Sequence, residues 1–359
     1  MGYGLEYINP ALLPELQELF VHQLSYCNVE KGETVLAITD SAFHPYYASA
    51  CTGAAAQLGA EAVQLVLPQG RRVSEELLKE FMKPADLIVY STTHTLHYSA
   101  AMRESLKRGA RALMAVVPIH IMQRRIADPD LIRRTKWGAA KIDKAVKIQI
   151  KSSAGTDLLM EKGRRPGVGS YGVADVPGHL DFWGAGFFQT ALSEGTMEGK
   201  LVLDRGDLVF HFGEYIDYPV TIYFERGKIV SIEGRAMAKM IDALLTGFNE
   251  ENSIMAGHLA FGTDPQAQWT AEAAKFPVTG GGGADAEAYY GNVQVEIGSN
   301  TDVMFQGKNS AKAHLGLCSL NCSVWFDDEA ILDQGEYVHD ELKVDTFKLP
   351  SLYKEDERK

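Results

Sequence analysis

The sequence predicts an α/β half followed by an α+β, β-rich half, and three observations carry that division. Up to about residue 146, short aliphatic or β-branched runs alternate with amphipathic stretches, the pattern of a mainly parallel sheet covered by helices. From residue 147 the runs become short strands split by turns, with little helix between them. The length of 359 residues suits about two domains, and 46% hydrophobic with 23% charged residues is an ordinary globular composition.

In the first half, residues 1–146, Thr34 to Asp40, Ala62 to Leu67, Asp86 to Ser91 and Arg111 to Val117 read as strands. Helical periodicity runs through His44 to Leu58, Ser74 to Met82 and Ser99 to Lys107, with Ser74 and Glu76 ahead of Leu77 and Leu78 marking a helix start. A charged helix is expected from about Asp128 to Val146. Ligands of such sheets sit beyond the carboxyl ends of the strands, which brings forward Asp40 to His44 and the Thr92 to His97 segment. No Gly-x-Gly-x-x-Gly follows the first strand, so dinucleotide binding is disfavoured.

In the second half, residues 147–345, strands are expected at Lys147 to Lys151, Lys200 to Leu203, Asp207 to Phe212, Val220 to Phe224 and Lys228 to Glu233. Glu225-Arg226-Gly227 links the last two as a hairpin, and one helix is expected near Met237 to Phe248. Asn292 to Ile297 has strand alternation that puts Gln294 and Glu296 on one face. Gly280 to Gly283 reads as a flexible loop, and residues 346–359 as a frayed charged tail.

A net charge of −12 and a pI near 5.4 argue against a nucleic-acid partner, which needs concentrated Lys and Arg. The pairs Arg124-Arg125 and Arg133-Arg134 read as solvated faces. Cys27, Cys51, Cys318 and Cys322 have neither zinc-finger nor redox spacing, so free thiols in a reducing compartment are expected. With no leader at Met1 and no run of about eighteen apolar residues, the expected location is the cytoplasm, away from membranes.

The motif order then becomes specific. Lys151-Ser152-Ser153-Ala154-Gly155-Thr156-Asp157, Tyr171-Gly172-Val173-Ala174-Asp175, Glu194-Gly195-Thr196, Gly257-His258, Gln266-Ala267-Gln268-Trp269, Tyr290-Gly291-Asn292 and Asn321 to Asp328 resemble the 2,5-dihydroxypyridine dioxygenase family. That iron-enzyme family is similar in turn to the thermophilic metallo-aminopeptidases, with an α/β first half and a metal-bearing second half. The resemblance covers about residues 30 to 332 and is densest from 147 onward.

The resemblance implies an iron(II) site of two histidines and one aspartate, the second histidine and the aspartate being written His-x-Asp. His258 and His314 match the histidines, and Gly316 stands where the aspartate belongs. Glu296, or else Gln294, is the candidate to supply the missing oxygen, and Asp264 is a third candidate that also reads as an ordinary turn residue. On the substrate side, Ser170 and Phe182 replace a glutamate and a histidine of the resembling enzymes, beside Tyr171, Asp181 and Trp183. His97 matches the acid or base at the end of an N-terminal strand, with His94 as the register alternative. Peptidase ligands are mostly missing, since Phe187, His258 and Gln294 occupy their positions.

Two imidazoles and a carboxylate leave positions on iron(II) for a chelating substrate and dioxygen. The leading expectation is therefore a ring-cleaving dioxygenase acting on a small aromatic or N-heterocyclic compound, with Tyr171, Phe182, Trp183 and Trp269 as aromatic walls. The alternatives are a hydrolase or hydratase in which Zn(II) or Mn(II) activates water, and a metal-free binding protein. Relatives of this kind assemble, so a homo-oligomer is expected, although no heptad or apolar arm marks it.

Overall fold

In a computed structural model of the chain, residues 11–69, 73–270, 285–301 and 304–344 are described. The Gly280 to Gly283 run and the 346–359 tail lie outside them. The first half runs α1 (Leu12–Tyr26), β1 (Thr34–Asp40), α2 (Tyr46–Gln57), β2 (Glu61–Leu67), α3 (Glu75–Met82), β3 (Leu87–Ser91), α4 (Ala100–Arg108), β4 (Arg111–Met114), α5 (Ile119–Arg124) and α6 (Pro129–Lys144). Strands β1, β3 and β4 are almost wholly buried, as expected of a parallel sheet covered on both faces. Ser74 and Ser99 each accept the N–H three residues on, starting α3 and α4, and Gly109 at φ +103° ends α4. The α1 helix has no counterpart among the sequence expectations; Leu16, Phe20 and Leu24 bury its inner stripe.

The second half continues through β5 (Lys147–Ser152), β6 (Asp157–Glu161), β7 (Val168–Ser170), β8 (Leu180–Phe182), β9 (Phe187–Ala191), β10 (Glu198–Leu203), β11 (Leu208–Val209), β12 (Glu214–Tyr215), β13 (Val220–Glu225) and β14 (Lys228–Glu233). After α7 (Ala236–Gly247) come β15 (Ala256–Gly262), α8 (Asp285–Ala288), β16 (Val293–Gly298), β17 (His314–Ser319), β18 (Cys322–Phe326), β19 (Glu329–Asp333) and β20 (Glu336–Tyr337). The strand expected over 207–212 stops at Val209, because the chain coils into a 3₁₀ turn over Phe210–Phe212 that Gly213 closes at φ +63°.

Three sheets result. The parallel sheet has the order β2-β1-β3-β4-β8, so a strand from the second half completes the sheet of the first. Tyr171, Val173, Ala174, Leu180 and Trp183 accordingly pack in the first core, so the two cores interleave across residue 146 rather than dividing there. The other sheets are antiparallel, of orders β14-β13-β10-β6-β5-β18-β19-β20 and β12-β11-β17-β16-β15-β9-β7. Ile148, Ile150 and Leu158 of one share a core with Leu259, Phe261, Val295 and Leu317 of the other. Period two then turns His258, Ala260, Gln294 and Glu296 to the opposite face, away from that core.

Helix α6 locks the halves together. A methyl group on Gly138 would meet the Phe188 ring at 2.2 Å, so only glycine permits α6 to lie this close to β9. The arginine pairs are not solvated faces. Arg125 and Arg134 are buried, Arg124 is largely so, and of the four only Arg133 is clearly exposed. Arg125 reaches Asp264 at 2.8 Å and Asp285 at 3.3 Å, Arg124 holds Asp285 at 2.6 Å, and Arg134 donates to the Thr263 carbonyl at 2.9 Å. The carboxylates that draw these arginines inward lie more than a hundred residues downstream.

All four cysteines are free and buried, and burial pushes the Cys27 and Cys322 thiols up to about 12. No described helix is long and apolar enough to cross a membrane.

Candidate active site

The site is built on four adjacent strands, β9, β15, β16 and β17, and two rows of cross-strand neighbours define it. The first row is Ala191, His258, Glu296 and Gly316, each opposite the next in register. His314 lies two residues before Gly316 on the same face and meets Glu296 on the diagonal. A register shift in β15 between Ala256 and His258 sets the angle at which His258 leaves the strand.

One ligand atom from each of His258, Glu296 and His314 lies within 4.8 Å of the other two, the one such group among the described residues. Glu296 is 1% exposed and His258 5%, while the His314 side chain is 39% exposed and opens the group to the cleft. Burial pushes the Glu296 carboxyl up to about 8 against the lowering effect of the Gln294 amide. Glu296 Oε1 accepts from Gln294, whereas Oε2 accepts no hydrogen bond among the described residues and lies 3.8 Å from His314 Nε2. A desolvated carboxylate oxygen without a donor is costly, and a bound cation removes that cost. The donors therefore fit a single metal ion.

The second row, two residues further along each strand, is Gln189, Ala260, Gln294 and Cys318. Gln189 donates to Ser170 Oγ at 3.1 Å, and Gln294 Nε2 donates to Glu287 at 3.1 Å as well as to Glu296. The Cys318 thiol donates to Gln294 Oε1 at 3.3 Å. With two carboxylates on one side and a thiol donor on the other, the amide of Gln294 has one favourable orientation.

Above both rows opens a cleft whose walls include His97, Phe182, Phe187, Glu287, Met304 and Phe305. The rings of His97 and Phe182 stack with centroids 5.5 Å apart and planes at 18°, and Phe305 lies 4.7 Å from His258. His97, His258 and His314, which come from three distant segments, thus share one cavity.

The other expected site residues lie elsewhere. His94 lines a separate cleft with Asp40 at the carboxyl ends of β1 and β3. Ser170 sits one step behind the cavity, through Gln189. Asp181 accepts N–H groups of Tyr171, Gly172 and Phe182 at 2.7–3.1 Å, a backbone clamp whose burial raises its carboxyl to about 6. Tyr171 donates to Asp175 at 2.7 Å, and Trp183 donates to the Arg125 carbonyl at 3.1 Å beneath the first core. Asp264 is held by Arg125 rather than by the histidine pair. Gln189 and Glu287 were not among the expected residues. A lone glutamine within aromatic Phe187-Phe188-Gln189-Thr190 carried a signal, but Glu287 follows a Gly-rich run with no periodicity.

A family model described as NicX, 2,5-dihydroxypyridine 5,6-dioxygenase, matches residues 15–339. The 2,5-dihydroxypyridine 5,6-dioxygenase of Pseudomonas putida KT2440 is 30% identical over 346 residues, 92% of this chain and 97% of that one. A solved structure of 2,5-dihydroxypyridine dioxygenase from the same organism superposes with a TM-score of 0.83 at 29% identity, covering 92% of this chain and 99% of that chain. AmpT from Thermus thermophilus, at 14% identity and a TM-score of 0.57 over 91% of this chain and all of that one, shares the fold.

Proposed function

The chain belongs to the 2,5-dihydroxypyridine 5,6-dioxygenase family, and we propose that it cleaves the ring of a small N-heterocyclic substrate with one iron(II) ion held by His258, Glu296 and His314. The observation that carries this reading is the buried Oε2 of Glu296, which accepts no hydrogen bond among the described residues and faces the His314 imidazole. Two neutral imidazoles and one carboxylate make the donor set of non-haem iron(II) oxygenases. When bound, the metal supplies open positions for a chelating ring and for dioxygen.

The chain's own residues do the rest. His258 and Glu296 hold their ligand atoms from rigid neighbouring strands, so little ordering is required when the metal enters. Phe182 and Phe305 offer flat apolar surfaces on which a ring stacks and from which water is excluded. His97, braced against Phe182, takes the proton of a ring hydroxyl as the ring docks and returns it later in the cycle.

The test is elemental analysis and dioxygen uptake on anaerobically purified, iron-reconstituted protein. About one equivalent of iron is expected, lost in His314→Ala and Glu296→Ala, together with uptake on a hydroxypyridine. Absence of uptake with every hydroxypyridine and aminophenol tried would sink the reading. Stoichiometric zinc or manganese with turnover in the absence of oxygen would replace it with water activation.

A further inference from the structure

We propose that Gln189 sets the substrate class: its side-chain amide pairs with a flat ring edge on which an N–H stands beside a C=O, the edge of a lactam such as a pyridone; the proposal rests on the ring-cleaving reading of this cleft. Gln189 belongs to the second row of the sheet, one strand across from His258 and two residues along, which is roughly 6.7 Å on from the first row. That is the reach across a six-membered ring with a substituent. A ring anchored at His258, Glu296 and His314 therefore brings its far edge to Gln189, over the low floor made by Ala260.

The amide of Gln189 has capacity left where its counterpart across Ala260 has none. Gln294 gives its two Nε2 hydrogens to Glu287 and Glu296, and its Oε1 accepts from Cys318. Gln189 gives one Nε2 hydrogen to Ser170 Oγ at 3.1 Å, and its side chain makes no other hydrogen bond among the described residues. Although Gln189 is only 4% exposed, its Oε1 is not sealed from solvent, and it opens on the cleft that the residue lines. The second Nε2 hydrogen lies in the same amide plane. A planar group offering one acceptor and one donor is matched by a planar edge offering one donor and one acceptor, which is an N–H beside a C=O.

The surroundings make this pairing selective. Phe187 and Ala191, the neighbours of Gln189 on the same face of β9, and Ala260 opposite it are apolar, so they offer the amide no competing partner. In such a setting an unpaired amide oxygen is costly. Gln189 is also held in place, because β9 is paired on both sides, with β15 and β7, and Ser170 of β7, which fixes the amide, is wholly buried. A ring with C–H where the N–H should be leaves Oε1 unpaired once the ring has displaced water, and that penalty discriminates.

The experiment is anaerobic calorimetry on the iron-loaded protein with 2,5-dihydroxypyridine, whose pyridone form carries the N–H beside the C=O, and with hydroquinone, in which C–H replaces the ring nitrogen. The wild type is expected to prefer the heterocycle by about tenfold or more. That preference should fall to within about twofold in Gln189→Met, which keeps the length and loses the amide, and to an intermediate value in Gln189→Glu, which keeps an acceptor and loses the donor. Comparing the ratio between variants cancels any direct effect of the nitrogen on the metal, and unchanged iron content separates recognition from collapse of the site. A preference undiminished in either variant, no preference in the wild type, or binding of neither compound would overturn the proposal. Because binding is measured without dioxygen, failure of ring cleavage would leave this result standing, and failure of discrimination would leave the dioxygenase reading standing.

Discussion

Glu296 and Gly316 stand directly opposite each other on β16 and β17, and a methyl group on Gly316 would lie 2.6 Å from Glu296 Oε1. The carboxylate of Glu296 thus fills the space that a side chain at 316 would take. The His-x-Asp pattern implied by the family resemblance puts the carboxylate on the strand of the second histidine; in the proposed site Glu296 of the neighbouring strand supplies it, and glycine opposite makes the room. Glu296 and the two histidines thereby converge within 4.8 Å of one another.

Exchange of the carboxylate between strands should therefore be possible, whereas doubling it should not. Gly316→Asp alone puts a second carboxyl group against a buried one and is expected to cost on the order of 3 kcal/mol through overpacking and like-charge repulsion. Gly316→Asp with Glu296→Ala should recover most of that loss and bind close to one equivalent of iron. Urea unfolding and elemental analysis read both effects. A single variant as stable as the wild type would remove the steric relationship from the account.

His97 is predicted to act on the proton and not on the metal. His97→Asn should lower kcat by about 10² to 10⁴ while leaving iron stoichiometry near that of the wild type. Steady-state oxygen uptake with parallel metal analysis distinguishes the roles, since loss of iron in the variant would make His97 a support of the centre.

What the sequence made legible follows from which interactions are local. Strand alternation alone put Gln294 and Glu296 on one face, and motif order picked out His258 and His314, so the three clustered side chains of the first row were in view before the fold was known. Of the second row only Gln294 was, because the row exists only once β9 pairs with β15 and β15 with β16, and no local pattern encodes that register. Arg125 was misread for the same reason. Helical context suggests a solvated cation, and only Asp264 and Asp285, 139 and 160 residues onward, turn it into a buried one. Tyr171 lies in a motif shared with the resembling enzymes and Asp181 beside another of their matched positions, Phe182, yet their polar atoms are occupied by Asp175 and by backbone N–H groups.

Removing Arg125 is expected to be costly out of proportion to its size. Its guanidinium sits between Asp264 and Asp285, with all three side chains at most 4% exposed, and Arg125→Met would leave two buried carboxylates with less compensation. A loss of about 3–5 kcal/mol is expected, with partial recovery on adding Asp264→Asn. Chemical denaturation of the single and double variants checks this. A cost below about 1 kcal/mol would mean that Arg124 alone satisfies Asp285.

Acid should loosen the cleft before it unfolds the rest, and Glu194 is the reason. Its Oε1 accepts from Lys308 N at 2.8 Å and Asn300 Nδ2 at 3.2 Å, and its Oε2 pairs with Arg165, so this carboxylate ties both ends of the segment that carries Phe305 over His258. Burial acts to raise the carboxyl, but the Lys308 N–H, the Arg165 guanidinium and the Asn300 amide outweigh it and hold it at about 2, below its ordinary 4.5. A carboxyl depressed in the folded state contributes its full stabilisation above about pH 4.5, and that contribution fades as pH falls toward 2. Glu194→Gln should therefore lower Tm at pH 6 and flatten the decline of Tm between pH 4.5 and 2. Thermal scans of the two proteins across that window decide the matter: parallel declines would show that other carboxylates carry the acid sensitivity and that the Phe305 segment is anchored without Glu194.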